Sequence, residues 1–279
     1  MRLAGLPDRP RPLVVVGDAL LDRDLEGTVE RLAPDAPVPV VDQQELRSRP
    51  GGAALAAVLA AGSGREVRLV TALGRDAAGE ELRLLLEEAG VQIVDLGLHG
   101  PTPEKVRVRA SGRSLVRIDR GGRAAEVGAL TATARAAIGW ADAVLVADYG
   151  RGVAAEPGVR EALGALGADV PVVWDPHPNG PAPVRGCALV TPNAVEAARF
   201  VPDMGGDGVH AMTARAGVLA ERWDADHVCV TRGALGALLV DADGTALAFP
   251  ADPAPGGDPC GAGDRFASRA AELLADGLP

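Results

Sequence analysis

Short apolar runs recur along this chain, each followed by an alanine- and leucine-rich stretch with helical spacing. Residues 13–16, 67–72, 143–147, 170–174, 189–191 and 227–231 read as strands that lack a polar face. A strand without a polar face is covered on both sides. Successive strands of that kind are joined by helical crossovers, which makes them parallel. The rhythm therefore predicts an α/β fold, a mostly parallel sheet with helices on both faces. Helices are expected after Gly51-Gly52, to about residue 61, and over residues 77–89. A last pair of strands, 237–240 and 245–249, flanks the turn Asp241-Ala-Asp-Gly244.

Two segments break the rhythm. Residues 36–50 hold interleaved prolines and read as an extended edge, because proline cannot donate to a central ladder. Over 104–120 the period drops to two. Val106, Val108 and Ala110 alternate with Arg107 and Arg109, then Ser111-Gly112 turns the chain into 115–118. Both segments are expected to form a small β structure inserted into the α/β domain, a lid over the carboxyl edge of the sheet. With no internal repeat and no low-complexity linker, residues 13–279 read as one domain.

Composition excludes several partners. A formal charge of −10 argues against a nucleic-acid backbone, although local Lys and Arg clusters still admit an anionic small molecule. No apolar stretch reaches membrane-spanning length, and the start, MRLAGLPDRPRP, has no apolar signal core. Cys187, Cys229 and Cys260 are too widely spaced for a zinc site or a disulfide framework. The expectation is a soluble cytoplasmic protein. Cys260 has no evident histidine partner and is not read as a nucleophile.

Ligands of open parallel sheets bind beyond the carboxyl ends of the strands. Asp18, Asp148, Asp175 and Asn193 all fall there, so polar groups gather on one edge. Each also has a plain structural reading as a turn or helix cap. The segment Asp258-Pro-Cys-Gly-Ala-Gly-Asp-Arg-Phe266 opens an alanine-rich helix. The N–H groups of Gly261, Ala262 and Gly263 would lack intrahelical partners, and the helix dipole adds about half a positive charge there. Such an end suits a phosphate, and Asp264 beside it could take a proton from a hydroxyl. The alternative is a glycine turn with Asp264 as a cap. In Thr191-Pro-Asn-Ala-Val-Glu196, an amide and a carboxylate three residues apart suit a hydrated Mg²⁺, a capping box, or both.

These motifs together carry a resemblance. Gly51-Gly-Ala-Ala54, Thr191-Pro-Asn-Ala-Val-Glu196, Thr231-Arg-Gly233 and Gly261-Ala-Gly-Asp264 stand in the order seen in ribokinase-like (PfkB-family) carbohydrate kinases. Within that family, four further runs resemble the heptose-7-phosphate kinase half of bifunctional ADP-heptose synthases. They are Val15-Val-Gly-Asp-Ala-Leu-Leu-Asp22, Pro34-Asp-Ala-Pro-Val-Pro-Val40, Arg49-Pro-Gly-Gly-Ala-Ala54 and Ala147-Asp-Tyr-Gly-Arg-Gly152. The resemblance implies an ATP- and Mg²⁺-dependent kinase for the anomeric hydroxyl of D-glycero-β-D-manno-heptose 7-phosphate.

It implies Asp264 as general base, with Gly261, Ala262 and Gly263 as the anion hole. Asn193 and Glu196 would organise Mg²⁺ through water, and Asn193, Thr231 and Gly233 would lie near the nucleotide. Asp18, Gly51, Gly52 and Asp148 would meet the sugar, and Lys105 and Arg107 its 7-phosphate. A homodimer through the lid is expected from its open edges. Family members continue past the base with helices over the adenine, a part expected to be missing here. Two positions depart from the pattern. Leu55 replaces a sugar-binding Asn. Arg265 puts a cation beside the base, where it would depress the pKa of Asp264 or clamp a phosphate. These departures keep two other readings open: a kinase of the same fold for another sugar or a nucleoside, and a non-catalytic sugar- or nucleotide-binding protein. The first strand ends in Gly17-Asp18 rather than Gly-x-Gly-x-x-Gly, which argues against a dehydrogenase.

Overall fold

The computed structural model describes residues 12–121, 125–252 and 260–278; the N-terminal segment 1–11, and Asp258 and Pro259 of the glycine motif, lie outside them. β1 (Leu13–Gly17) runs through one residue, Asp18, into a long strand β2 (Ala19–Leu32), which returns antiparallel as β3 (Pro39–Gly52). Two βα units follow: α1 (Ala53–Ala61) and β4 (Val67–Thr71), then α2 (Ala77–Glu88) and β5 (Val91–Asp95). A two-residue strand β6 (Leu98–His99) precedes the hairpin β7 (Glu104–Ala110) and β8 (Arg113–Arg120), and β9 (Glu126–Val127) pairs back with β6. The second half comprises α3 (Ala132–Ile138), β10 (Ala143–Ala147), α4 (Pro157–Gly164), β11 (Val172–Asp175), β12 (Leu189–Val190), α5 (Ala194–Phe200), α6 (Val209–Trp223), β13 (His227–Thr231), β14 (Ala237–Asp241), β15 (Ala246–Phe249) and α7 (Ala262–Ala275).

Nine strands form the main sheet in the order β15-β14-β13-β12-β11-β10-β1-β4-β5. All pairings from β5 to β13 are parallel, and β14 and β15 close the far edge antiparallel. The expected α/β architecture is present. Its cause is visible in β1 and β10, where every residue is buried. Val14, Val16, Val144 and Val146 pack against one layer of helices, α3 to α6. Leu13, Val15, Ala143 and Leu145 pack against α1, α2 and α7 on the other face. The chain leaves β1 toward β4 and β5, then crosses to β10 and proceeds the other way. β1 and β10 thus flank the switch point, where a crevice opens beyond the strand ends.

The smaller sheet has the order β3-β2-β7-β8. The two segments expected to be extended are in it, with corrections. Pairing begins at Pro39 rather than 36, and the sheet is built around β2, fourteen residues that no sequence pattern marked as a strand. β2 is rich in charge (Asp22, Arg23, Asp24, Glu26, Glu30 and Arg31) and holds its strand conformation because β3 and β7 pair with it on both sides.

Helix α7 is fixed at its far end by a buried ion pair. Arg65 Nη2 lies 2.5 Å from Asp276 Oδ2 and donates to the Glu272 carbonyl at 3.0 Å. Both side chains are almost wholly buried, so losing one partner leaves a charge without water. Arg65→Met is expected to cost about 3–5 kcal/mol in urea unfolding, most of it recovered in Arg65→Met/Asp276→Leu. A loss below about 1 kcal/mol would show that the pair does not anchor the helix.

Candidate active site

The helix that the glycine motif predicted is α7, and its opening carries no side-chain cap. Gly261 is the N-cap, in the left-handed region at φ 87°. The first N–H donors, on Ala262 and Gly263 and the residues beside them, are therefore left for a ligand. A β-carbon at Gly261 would lie 2.7 Å from Leu55 Cδ2. Leu55 is thus the apolar floor beneath this turn.

Asp264 is buried on the first turn. Its Oδ1 accepts a 2.6 Å hydrogen bond from the Tyr149 hydroxyl. Burial pushes its carboxyl up to about 6, and Asp22 adds to the rise; the Tyr149 bond and the nearby Lys105 charge pull the other way. Arg265 neither depresses that pKa nor reaches toward the anion site. Its guanidinium turns away to the carbonyl of Leu59, at 3.0 Å, and joins α7 to α1.

Several predicted contacts are placed differently. Asp18 was expected at the sugar. It is buried, and its carboxylate accepts the backbone N–H groups of Tyr149 (3.0 Å), Arg151 (2.9 Å) and Val153 (3.0 Å), so it organises the loop after β10. Gly51 and Gly52 are also buried. A β-carbon at Gly51 would stand 2.4 Å from Asp22 Oδ2, and one at Gly52 would stand 2.6 Å from the Asp18 carbonyl. The close approach they permit is to protein atoms. Asp148 accepts from the Gly150 N–H at 2.7 Å, and its Oδ2, packed against Gly180, has no hydrogen-bond partner. Burial pushes its carboxyl up to about 7.

Lys105 and Arg107, expected at a distal phosphate, come down from the small sheet on the Asp264 side. Lys105 Nζ lies 5.3 Å from the centre of the Tyr149 ring, and burial pushes its pKa down. Arg107 Nη1 pairs with Asp22 Oδ1 at 2.7 Å, and Nη2 donates to Cys260 Sγ at 3.5 Å. Neither Asp22 nor Tyr149 was assigned a role from sequence. The signals that pointed to them are slight: Asp22 lies inside the Val15–Asp22 motif, and Tyr149 is the only tyrosine in the chain.

On the other side of α7, Asn193, Glu196, Thr231 and Gly233 come together. Asn193 bridges to Thr231, which sets the start of α5 against the end of β13. A cleft of about 610 Å³ is lined by these four with His177, Arg199 and Arg232. An adjoining hollow of about 330 Å³ shares Thr231 and Gly233 with it and reaches Ala262, Gly263 and Phe266 of α7. The pair Asn193 and Glu196 forms the capping box: Asn193 Oδ1 accepts from Val195 and Glu196 N–H, each at 3.0 Å, and Glu196 Oε2 accepts from Asn193 N–H at 2.9 Å. The Asn193 side chain also bonds the Glu196 carboxylate, which pulls the pKa of Glu196 down against the larger effect of burial.

Among the described residues no group of three or more His, Cys, Asp or Glu has metal-holding geometry. The charge balance nevertheless favours a cation. Burial raises the pKa of Asp148, Asp175 and Glu196, and for Asp175 the neighbouring carboxylates Asp264 and Glu196 add to it. A divalent ion that keeps most of its water and arrives with a polyphosphate fits such a site.

Comparison with known proteins gives the family. The family model for pfkB family carbohydrate kinases matches residues 11–279. The bifunctional protein HldE of Streptomyces coelicolor is 54% identical over 268 residues, covering 95% of this chain and 56% of that protein. HldE of Azorhizobium caulinodans is 38% identical over 276 residues, with 95% and 57% covered. The chain thus spans a little over half the length of these curated relatives. Among solved structures, Arabidopsis thaliana ribokinase complexed with ribose and ATP superposes with a TM-score of 0.73 at 20% identity, covering 97% of this chain and 88% of that one. Escherichia coli phosphofructokinase-2 with substrates and products gives 0.73 at 17%, with 96% and 88% covered. At these identities the solved structures speak to the fold alone, which is ribokinase-like. By the match along nearly its whole length, the chain belongs to the pfkB family of carbohydrate kinases.

Proposed function

We propose that residues 13–279 form one ATP-dependent sugar kinase domain whose acceptor is D-glycero-β-D-manno-heptose 7-phosphate, phosphorylated on its anomeric hydroxyl to the 1,7-bisphosphate. The observation that carries the reading is the pairing of a buried, semi-basic Asp264 with the uncapped N-terminus of α7. The heptose assignment rests on the motif resemblance of residues 15–22, 34–40, 49–54 and 147–152 and on the alignment with the HldE proteins.

Asp264 takes the hydroxyl proton as the acceptor oxygen bonds to the γ-phosphorus. The bond from that phosphorus to the β-γ bridging oxygen breaks, and ADP leaves. The N–H groups of Gly261, Ala262 and Gly263 receive the charge that spreads over the phosphoryl oxygens. Thr231, Gly233 and the Asn193 amide hold the nucleotide, and Glu196 faces the hydrated Mg²⁺ that ATP brings. The acceptor lies under the small sheet, which acts as a lid, with Lys105 over the Tyr149 ring and Arg107 paired to Asp22 supplying positive charge on the Asp264 side. Asp18, Gly51, Gly52 and Asp148 shape this side from behind, through the loop after β10. Three free thiols and no helix apolar enough to cross a membrane among the described residues fit a cytoplasmic enzyme. A second reading, a kinase for another sugar or a nucleoside, is favoured by Leu55, which offers no hydrogen bond at the acceptor side.

The lid also supplies a surface for self-association. Strand β8 is exposed along its whole length, and Leu46, Val116 and Ile118 show 47%, 51% and 43% of their surface to solvent. Their place on an open sheet suits pairing with a second copy. Light scattering at micromolar concentration is expected to give twice the chain mass; a monomer would refute the dimer.

The reaction is tested by ADP release from Mg·ATP with a panel of sugar phosphates. Asp264→Asn is expected to lower turnover about 10²–10⁴-fold, the range for loss of a general base. Because the base acts ionised and its pKa is raised, kcat/KM should fall as pH drops through about 6. Turnover in Asp264→Asn equal to wild type would remove Asp264 as base. Turnover on a different sugar alone would keep the kinase and discard the heptose.

A further inference from the structure

Tyr149 projects from a loop that the structure holds rigidly at the switch point. Three backbone N–H groups of that loop, its own included, bond to the Asp18 carboxylate. A β-carbon at Gly52 would stand 3.4 Å from Tyr149 Cδ2, so the ring lies close along the backbone that opens α1. Lys105, from the small sheet, sits over the ring at 5.3 Å. The hydroxyl reaches Asp264 Oδ1 at 2.6 Å, a length typical of a charge-assisted bond. The other oxygen, Oδ2, lies 4.0 Å from the point a β-carbon of Gly261 would occupy, on the side of the open helix end.

We infer that Tyr149 is the positioning residue of the base: its hydroxyl pins Asp264 so that Oδ2 faces the anion site, and its ring carries the lid cation Lys105. The inference rests on Asp264 being the base, as proposed above. A carboxylate on a freely turning side chain would present either oxygen to the acceptor. One pinned by a neutral phenol presents one oxygen and keeps the other occupied. Burial and the facing Asp264 charge hold the Tyr149 proton far more tightly than in an ordinary tyrosine, so it donates throughout the working pH range and is not itself transferred. The other charged groups facing Asp264 are Asp22 on β2, Lys105 on β7 and Asp175 at the end of β11. On α7 itself Arg265 points away to Leu59.

Tyr149→Phe removes the bond and keeps the ring under Lys105. A hydrogen bond to a charged acceptor lowers a carboxyl pKa, so its loss should move the acid limb of kcat/KM upward by about one unit. kcat should fall about tenfold, with little change in KM for ATP. An unchanged limb and an unchanged kcat would overturn the assignment. A readout that needs no turnover comes from the tyrosinate absorbance, which in this chain reports Tyr149 alone. In the folded protein, checked by circular dichroism, that band should stay absent well above the ordinary phenol pKa of about 10 and appear at least one unit earlier in Asp264→Asn. Ordinary ionisation in the wild type, or no shift in Asp264→Asn, would refute the pair. A wild-type protein that phosphorylates no sugar, with the titration behaving as described, would sink the kinase reading and leave the Tyr149–Asp264 pair standing.

Discussion

The site depends on one carboxylate that never faces it. Asp18 is the single residue between β1 and β2, and its two oxygens gather three N–H groups from the loop after β10. Those strands are neighbours in the sheet and distant in the chain, and the crevice opens between them. A loop of this kind, rich in glycine and without regular pairing, would lose much backbone freedom on being fixed. Accepting three donors at once offsets that cost, and the buried carboxylate is hydrogen-bonded in the process. Tyr149 then stands where it can meet Asp264, 115 residues further along the chain.

The electrostatics of the crevice follow from crowding acids in a place with little water. Burial raises Asp148, Asp175, Glu196 and Asp264 together. In most of a protein surface this would be a liability. Beside a helix N-terminus and near the lid cation Lys105, it leaves Asp264 ionised at neutral pH yet far more basic than a solvated aspartate, which is the property the proposed role requires.

What was legible in the sequence followed burial and backbone chemistry. Strands such as β1 and β10 must be apolar on both faces, so their runs announce them, and the Gly-Ala-Gly opening of α7 announces a helix end with free donors. The strand β2 was not legible, because its charged residues acquire strand geometry from partners on both sides and not from their own propensity. Nor were the roles of Asp18, Gly51 and Gly52: each sits in a motif, but what each touches is decided by tertiary packing. Arg265 shows the same limit, since its place beside Asp264 in sequence says nothing of the Leu59 carbonyl it reaches. Lys105 and Arg107 were singled out only through the family resemblance, because their alternation by itself reads as a solvated hairpin face, and their nearness to Asp264 depended on how the small sheet is rooted.

That root has a mechanical meaning. β1 continues into β2 with no connecting loop, and β3 passes straight into α1 at Gly52, which has φ 61°. Those two junctions are adjacent, since Ala19 pairs with Gly52 across the ladder. The strand pairing that brings Lys105 over the Tyr149 ring therefore starts beside Asp18, the same residue whose carboxylate holds the Tyr149 loop.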